Sequence, residues 1–112
     1  MPRLEQLSHY LREIVGDFFT KEVEFPLDTL VTVTHVDVDK GRGIRRAIVW
    51  ISILPEEKEK AVLKVLERNL YDLQGKVNEL VASHPAPRVS FRVDKGLSYS
   101  AKIEKITKDL DE

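Results

Sequence analysis

Cysteine is absent from these 112 residues, so disulfides and thiolate-bound zinc are excluded and a reducing compartment is expected. No apolar run approaches the roughly 20 residues that a membrane-spanning helix needs. The opening stretch MPRLEQLSHYLREIVGDFF mixes acids, bases and spaced apolar residues, and lacks the uninterrupted apolar core of a secretion signal. A cytoplasmic protein folding as a single domain over residues 1–112 is the expectation. The five glycines form no phosphate loop, nucleophile elbow or dinucleotide fingerprint. His9, His35 and His84 fall in separate elements, without His-x-x-x-His or Glu-x-x-His spacing. Asp37 and Asp39 share a strand face, but two carboxylates with no third ligand nearby read as the polar side of a strand. No enzyme, metal or cofactor is expected.

An excess of positive charge is also lacking. The net charge is -1, which argues against nucleic-acid binding by bulk electrostatics. A third of the residues are nevertheless charged, so distribution decides. Lys40-Gly-Arg-Gly-Ile-Arg-Arg46 carries four cations and no acid. From Leu73 to Ile103, the cations Lys76, Arg88, Arg92, Lys95 and Lys102 face only Glu79 and Asp94. Acids gather in Glu5–Asp28, Glu56–Asp72 and Asp109–Glu112, which implies a basic side and an acidic side.

What is present is periodic order. Leu4, Leu7, Leu11, Ile14, Val15, Phe18 and Phe19 mark an amphipathic helix, and Pro26 stops its continuation. Leu30–Val38 alternates as a strand whose phase slips between Val33 and Val36, which predicts a bulge near Thr34–His35. Lys40–Gly43 reads as a hairpin loop. Arg46–Leu54 is the second strand, with Ala47, Val49, Ile51 and Ile53 inward and Arg46, Ile48, Trp50 and Ser52 outward. Pro55-Glu-Glu opens a helix. Ala61–Val81 carries a helical apolar stripe interrupted by Gly75, where a kink, or two helices meeting at a sharp joint, is expected. Such a joint would place Lys76 beside the free amides of a helix start, a setting suited to an anion. His-Pro-Ala-Pro87 ends this region. Arg88–Asp94 alternates as a third strand, and Tyr99, Ile103, Ile106 and Leu110 suggest a final helix. Three strands covered on one face by helices make a two-layer α+β domain.

This order, with the strings Val31-Thr-Val-Thr-His-Val-Asp-Val38, Arg45-Arg-Ala-Ile-Val-Trp-Ile-Ser-Ile-Leu54, Leu73-Gln-Gly75 and Pro87-Arg-Val-Ser-Phe-Arg-Val-Asp94, resembles the bacterial ribosome-binding factor A family over Arg3 to about Leu110. The resemblance implies a type II KH-like fold in which a small-x-Gly interruption between two helices replaces the usual Gly-x-x-Gly loop. It also implies a non-enzymatic factor that assists late maturation of the small (30S) subunit by binding 16S rRNA, and that is linked to growth in the cold. The free 30S subunit is then the partner of a monomer that needs no cofactor. This chain departs from the family pattern at Leu73, usually alanine, at Asn78, usually arginine, at Arg88, usually acidic, and in a longer, more basic hairpin tip.

The RNA-binding set expected on these grounds is Lys40, Arg42, Arg45, Arg46, Gly75, Lys76, Arg88 and Arg92. The hairpin cations are read as phosphate contacts, against a solvated turn. Gly75–Lys76 stands either as part of an RNA surface or as a kink serving packing. Arg88 and Arg92 either extend the basic side or line a solvated face. Trp50 is read as packed under a neighbour rather than stacked on a base. The competing function is a protein-interaction or dimerisation module on the same scaffold, using Ile48 and Trp50.

Overall fold

The computed structural model describes residues 2–39, 45–82 and 86–94. The hairpin tip with Lys40 and Arg42, His84, and the terminal helix expected around Tyr99, Ile103, Ile106 and Leu110 lie outside them, as does the side chain of Leu4. The elements are α1 (Pro2–Glu22), β1 (Leu30–Val38), β2 (Arg46–Leu54), a 3-10 turn (Glu56–Lys58), α2 (Glu59–Leu80) and β3 (Arg88–Val93).

The strands form one sheet in the order β1-β2-β3, antiparallel between β1 and β2 and parallel between β2 and β3. Parallel pairing requires a crossover, and α2 supplies it. Period-2 alternation puts Ala47, Val49, Ile51 and Ile53 of the central strand, at most 5% exposed, on one face. Val33 and Val36 from β1 and Val89 from β3 join them. The predicted bulge is present: the register shifts between Val33 and His35, so Val33 and Val36 are both buried despite their odd spacing. The Thr34 hydroxyl at the bulge donates to the Trp50 carbonyl at 3.2 Å.

Both helices press apolar stripes into this face. Leu11, Ile14, Val15, Phe18 and Phe19 come from α1, and Val62, Leu66, Leu73 and Val77 from α2. Beyond α1, Phe25 packs edge-on against Phe19 at 5.3 Å. Asp28 then turns the chain with φ 61, a left-handed geometry that aspartate tolerates better than most residues. Thr29 Oγ1 donates to the Pro26 carbonyl at 2.6 Å and holds the turn. At the far end of α2, the Tyr10 hydroxyl donates to the Leu80 carbonyl at 3.4 Å, engaging one of the acceptors that a helix terminus leaves open. Among the described residues no polar side chain is buried. No helix there is long and apolar enough to cross a membrane.

One expectation needs correction. The helix runs unbroken from Glu59 to Leu80 through Gly75, so no pair of helices meets there and Lys76 does not stand at a helix start. The reason is packing: Leu73 and Val77, both buried, belong to the same stripe on either side of the glycine. Anchoring on both sides outweighs a propensity cost of about 1 kcal/mol. Gly75 has no left-handed φ, and an added Cβ would meet nothing within 4 Å. Gly75→Ala should therefore stabilise the domain by about 1 kcal/mol, seen as a higher urea midpoint at unchanged slope. A lower midpoint would restore the interrupted helix.

Candidate nucleic-acid interface

The face of the sheet turned away from the helices is a lattice fixed by strand register. His35, Trp50 and Arg92 form one row across it, and Asp37, Ile48 and Ser90 the next. Arg46 and Arg88 form a third, at whose β1 end the Asp39 amide donates to the Arg46 carbonyl at 2.8 Å. Acids thus lie on β1 and arginines on β2 and β3.

Four of the predicted cations converge on the basic half. Arg45, Arg46, Arg88 and Arg92 are all exposed. The Arg88 amide donates to the Arg45 carbonyl at 2.9 Å, which starts the β2–β3 pairing at the hairpin end. Arg46 and Arg88 then stand side by side on neighbouring strands about 4.8 Å apart, and Arg92 lies about 13 Å further along β3. Among the described residues none of these four forms an ion pair.

The remaining described members of the set are placed elsewhere. Lys76 lines a groove between α1 and α2 together with Glu13, Glu22 and the Asp17–Lys21 ion pair, and a second hollow with Glu22, Asp72 and Glu79. It belongs to the acidic side. Gly75 lies between that hollow and a different groove, shared with Arg88, where α2 meets β3.

Trp50 is already engaged. His35 stacks on its indole at 5.6 Å and 13°, and its Nε1 donates to Asp37 Oδ2 at 3.0 Å. His35 Nε2 lies 3.6 Å from the same carboxylate oxygen. Sequence pattern alone does not pick out this three-residue cluster, although the bulge contains its signal. Skipping Thr34 in the register is what sets His35 opposite Trp50.

Gln74 is likewise absent from the predicted set. Its Oε1 accepts the Val89 amide at 2.9 Å, while its Nε2 donates to the Pro87 carbonyl at 2.8 Å and to Asn78 Oδ1 at 3.0 Å. The side chain thereby acts as a short stretch of extra strand on the outer edge of β3. It satisfies groups that an edge strand would otherwise leave open. In sequence it lies inside the Leu73-Gln-Gly75 string, where the glycine is the more conspicuous residue.

This arrangement of sheet and helices has known counterparts. A family model described as Ribosome-binding factor A matches residues 3–107. Ribosome-binding factor A of Natranaerobius thermophilus is 30% identical over 110 residues, covering 97% of this chain and 82% of that protein. Its counterpart in Halothermothrix orenii is 29% identical over 111 residues, covering 98% and 89%. The crystal structure of ribosome-binding factor A from Thermus thermophilus superposes with a TM-score of 0.66 at 21% identity, covering 80% of this chain and 94% of that one. The shared architecture is KH-like.

Gln74→Ala should leave the Val89 amide and the Pro87 carbonyl without their side-chain partner. The expected cost is about 1–3 kcal/mol, with faster hydrogen exchange at Val89 as the local signature. Unchanged exchange at Val89 would show that the clamp does not hold the strand.

Proposed function

Because this chain belongs to the ribosome-binding factor A family, we propose that it is an RNA-binding assembly factor that docks on 16S rRNA of the free 30S subunit during late maturation. It acts as a cytoplasmic monomer, performs no chemistry of its own, and supports rRNA processing and growth in the cold.

The observation that carries this reading is the pairing of Arg46 with Arg88 on one sheet face, flanked by Arg45 and Arg92. Like charges directly opposite on neighbouring strands destabilise a sheet. A phosphate bound between two guanidinium groups reverses the sign of that interaction. In sequence, Lys40 and Arg42 lie in the short segment between Asp39 and Arg45, so the proposed set counts six arginines and lysines besides Lys76 in a chain of net charge -1. The acid-lined helix side, Lys76 included, is repelled by a polyanion and orients the docking. The competing surface is less available, since Ile48 and Trp50 are half-buried and the indole is stacked and hydrogen-bonded.

Mechanistically, the domain recognises shape and phosphate charge. By binding RNA that has not reached its mature arrangement, it favours that state and leaves when the state is replaced. Modest, salt-sensitive affinity suits a factor that must depart.

Arg45→Glu combined with Arg46→Glu should abolish co-sedimentation with free small subunits while leaving the melting temperature unchanged or slightly raised. Single Arg→Ala variants should flatten the slope of log K against log salt by about one unit for each phosphate that is no longer neutralised. Normal co-sedimentation of the double variant would remove the hairpin end from the interface. Absence of ribosomal association by the unmodified protein at any salt would overturn the function.

A further inference from the structure

The outer face of the sheet has an apolar end as well as a basic one. Leu30 and Leu54 are register partners on β1 and β2, and they stand 61% and 54% exposed. Leu27, on the turn that leads into β1, is 86% exposed. A single exposed leucine is ordinary, but three at one strand end form a patch of the kind that partners cover. The face continues from these leucines through Thr32 and Ser52 to the row of His35, Trp50 and Arg92. Arg46 lies eight residues from Leu54 along β2, about 26 Å away.

The charges beside the leucines have the opposite sign from those at the arginine end. Asp28 follows Leu27, and Glu56 and Glu57 follow Leu54 across Pro55; all three acids are exposed. Half-buried Asp94 extends the β2–β3 register beside Ser52, and Lys58 is the neighbouring cation. This combination selects among occupants. A polyanion is repelled by the carboxylates. A second copy of this chain, packed about a two-fold axis, would set the same acids against each other. A cationic protein surface that offers an apolar side chain matches both the leucines and the rim. RNA held at the arginine end brings such surfaces within reach, because proteins that share an RNA neutralise its phosphates with lysine and arginine.

We propose that the Leu27, Leu30 and Leu54 end of the sheet docks a basic protein bound to the same RNA. The domain then bridges RNA at one end of its outer face and protein at the other. The proposal rests on the RNA-binding reading above and adds a second partner to it. The two contacts differ in kind: the arginines give a salt-sensitive hold, whereas burial of the leucines gives one that salt does not screen.

Leu30→Ser combined with Leu54→Ser replaces exposed side chains and should leave the melting temperature unchanged. Binding of this full-length variant to free small subunits should weaken by about tenfold, the scale of a lost interface anchor, with the slope of log K against log salt unchanged. Binding to protein-free 16S rRNA extracted from the same subunits should not change. Separately, a benzoylphenylalanine cross-linker placed at Leu27 and activated on the small subunit should attach to a subunit protein, within a segment of net positive charge. Equal loss of both affinities overturns the proposal, as does normal subunit binding by the leucine variant. So does a cross-link to rRNA, to an acidic segment, to a second copy or to residues 95–112 of this chain, or the absence of any cross-link. Unmodified protein that binds neither subunits nor rRNA at any salt sinks the RNA-binding reading and the proposal with it, whereas the preceding results leave that reading standing.

Discussion

Everything in this domain hangs on the pairing of β2 with a strand on each side. Because β2 is central, its alternation is imposed on both neighbours, and each residue across the sheet is assigned to core or outer face by register alone. Ala47, Val49, Ile51 and Ile53 commit one face to the helices. Arg46, Ile48, Trp50 and Ser52 are thereby committed to the other. A one-residue slip of β3 would exchange Val89 for Arg88 in the core, at a cost no packing could offset. The same hydrogen bonds that hold the fold therefore place Arg46 beside Arg88, and the basic patch is a consequence of register.

Charge is sorted by layer as well as by sequence. In the groove between the helices Glu13, Asp17 and Glu22 outnumber Lys21 and Lys76, whereas the sheet face turned away from the helices carries Arg46, Arg88 and Arg92. A lysine among carboxylates and an arginine beside another arginine are different chemical objects, although a count of cations treats them alike. This separation explains how a chain of net charge -1 can present a strongly basic surface. It also shows why Lys76, adjacent to Gly75 in sequence, stands apart from the other cations.

Much of this was legible in the residues. The three strands, the bulge and both helix stripes follow from apolar periodicity, and the boundaries of β1 and β2 coincide with those expected. The cations of β2 and β3 could be placed on one face because period 2 leaves no freedom. The break into two helices expected at Gly75 is absent because propensity is a local quantity. The burial of Leu73 and Val77 that overrides it depends on how α2 lies against the sheet. Gln74 was invisible for a similar reason: its partners Pro87 and Val89 are 13 and 15 residues away. No periodicity records a side chain that reaches across to another element.

Gln74 and Gly75 sit next to each other at the meeting of α2 and β3, and their effects are complementary. No internal contact demands a glycine at 75, since a Cβ there would meet nothing within 4 Å and the backbone is ordinary helix. A residue that weakens its helix without serving the interior makes physical sense where another molecule approaches the backbone closely. Gln74 meanwhile fills the adjoining strand edge, satisfying the Pro87 carbonyl and the Val89 amide that would otherwise be open there. One residue leaves the helix surface bare and the other closes the slot beside it. A surface bare and closed at once is suited to a sugar–phosphate chain running across it. Within the proposed function, only the side of α2 at Gly75 that faces β3 and Arg88 can bear against RNA, since its other side borders the hollow with Asp72 and Glu79, and the grip comes from the arginines at the hairpin end of the sheet.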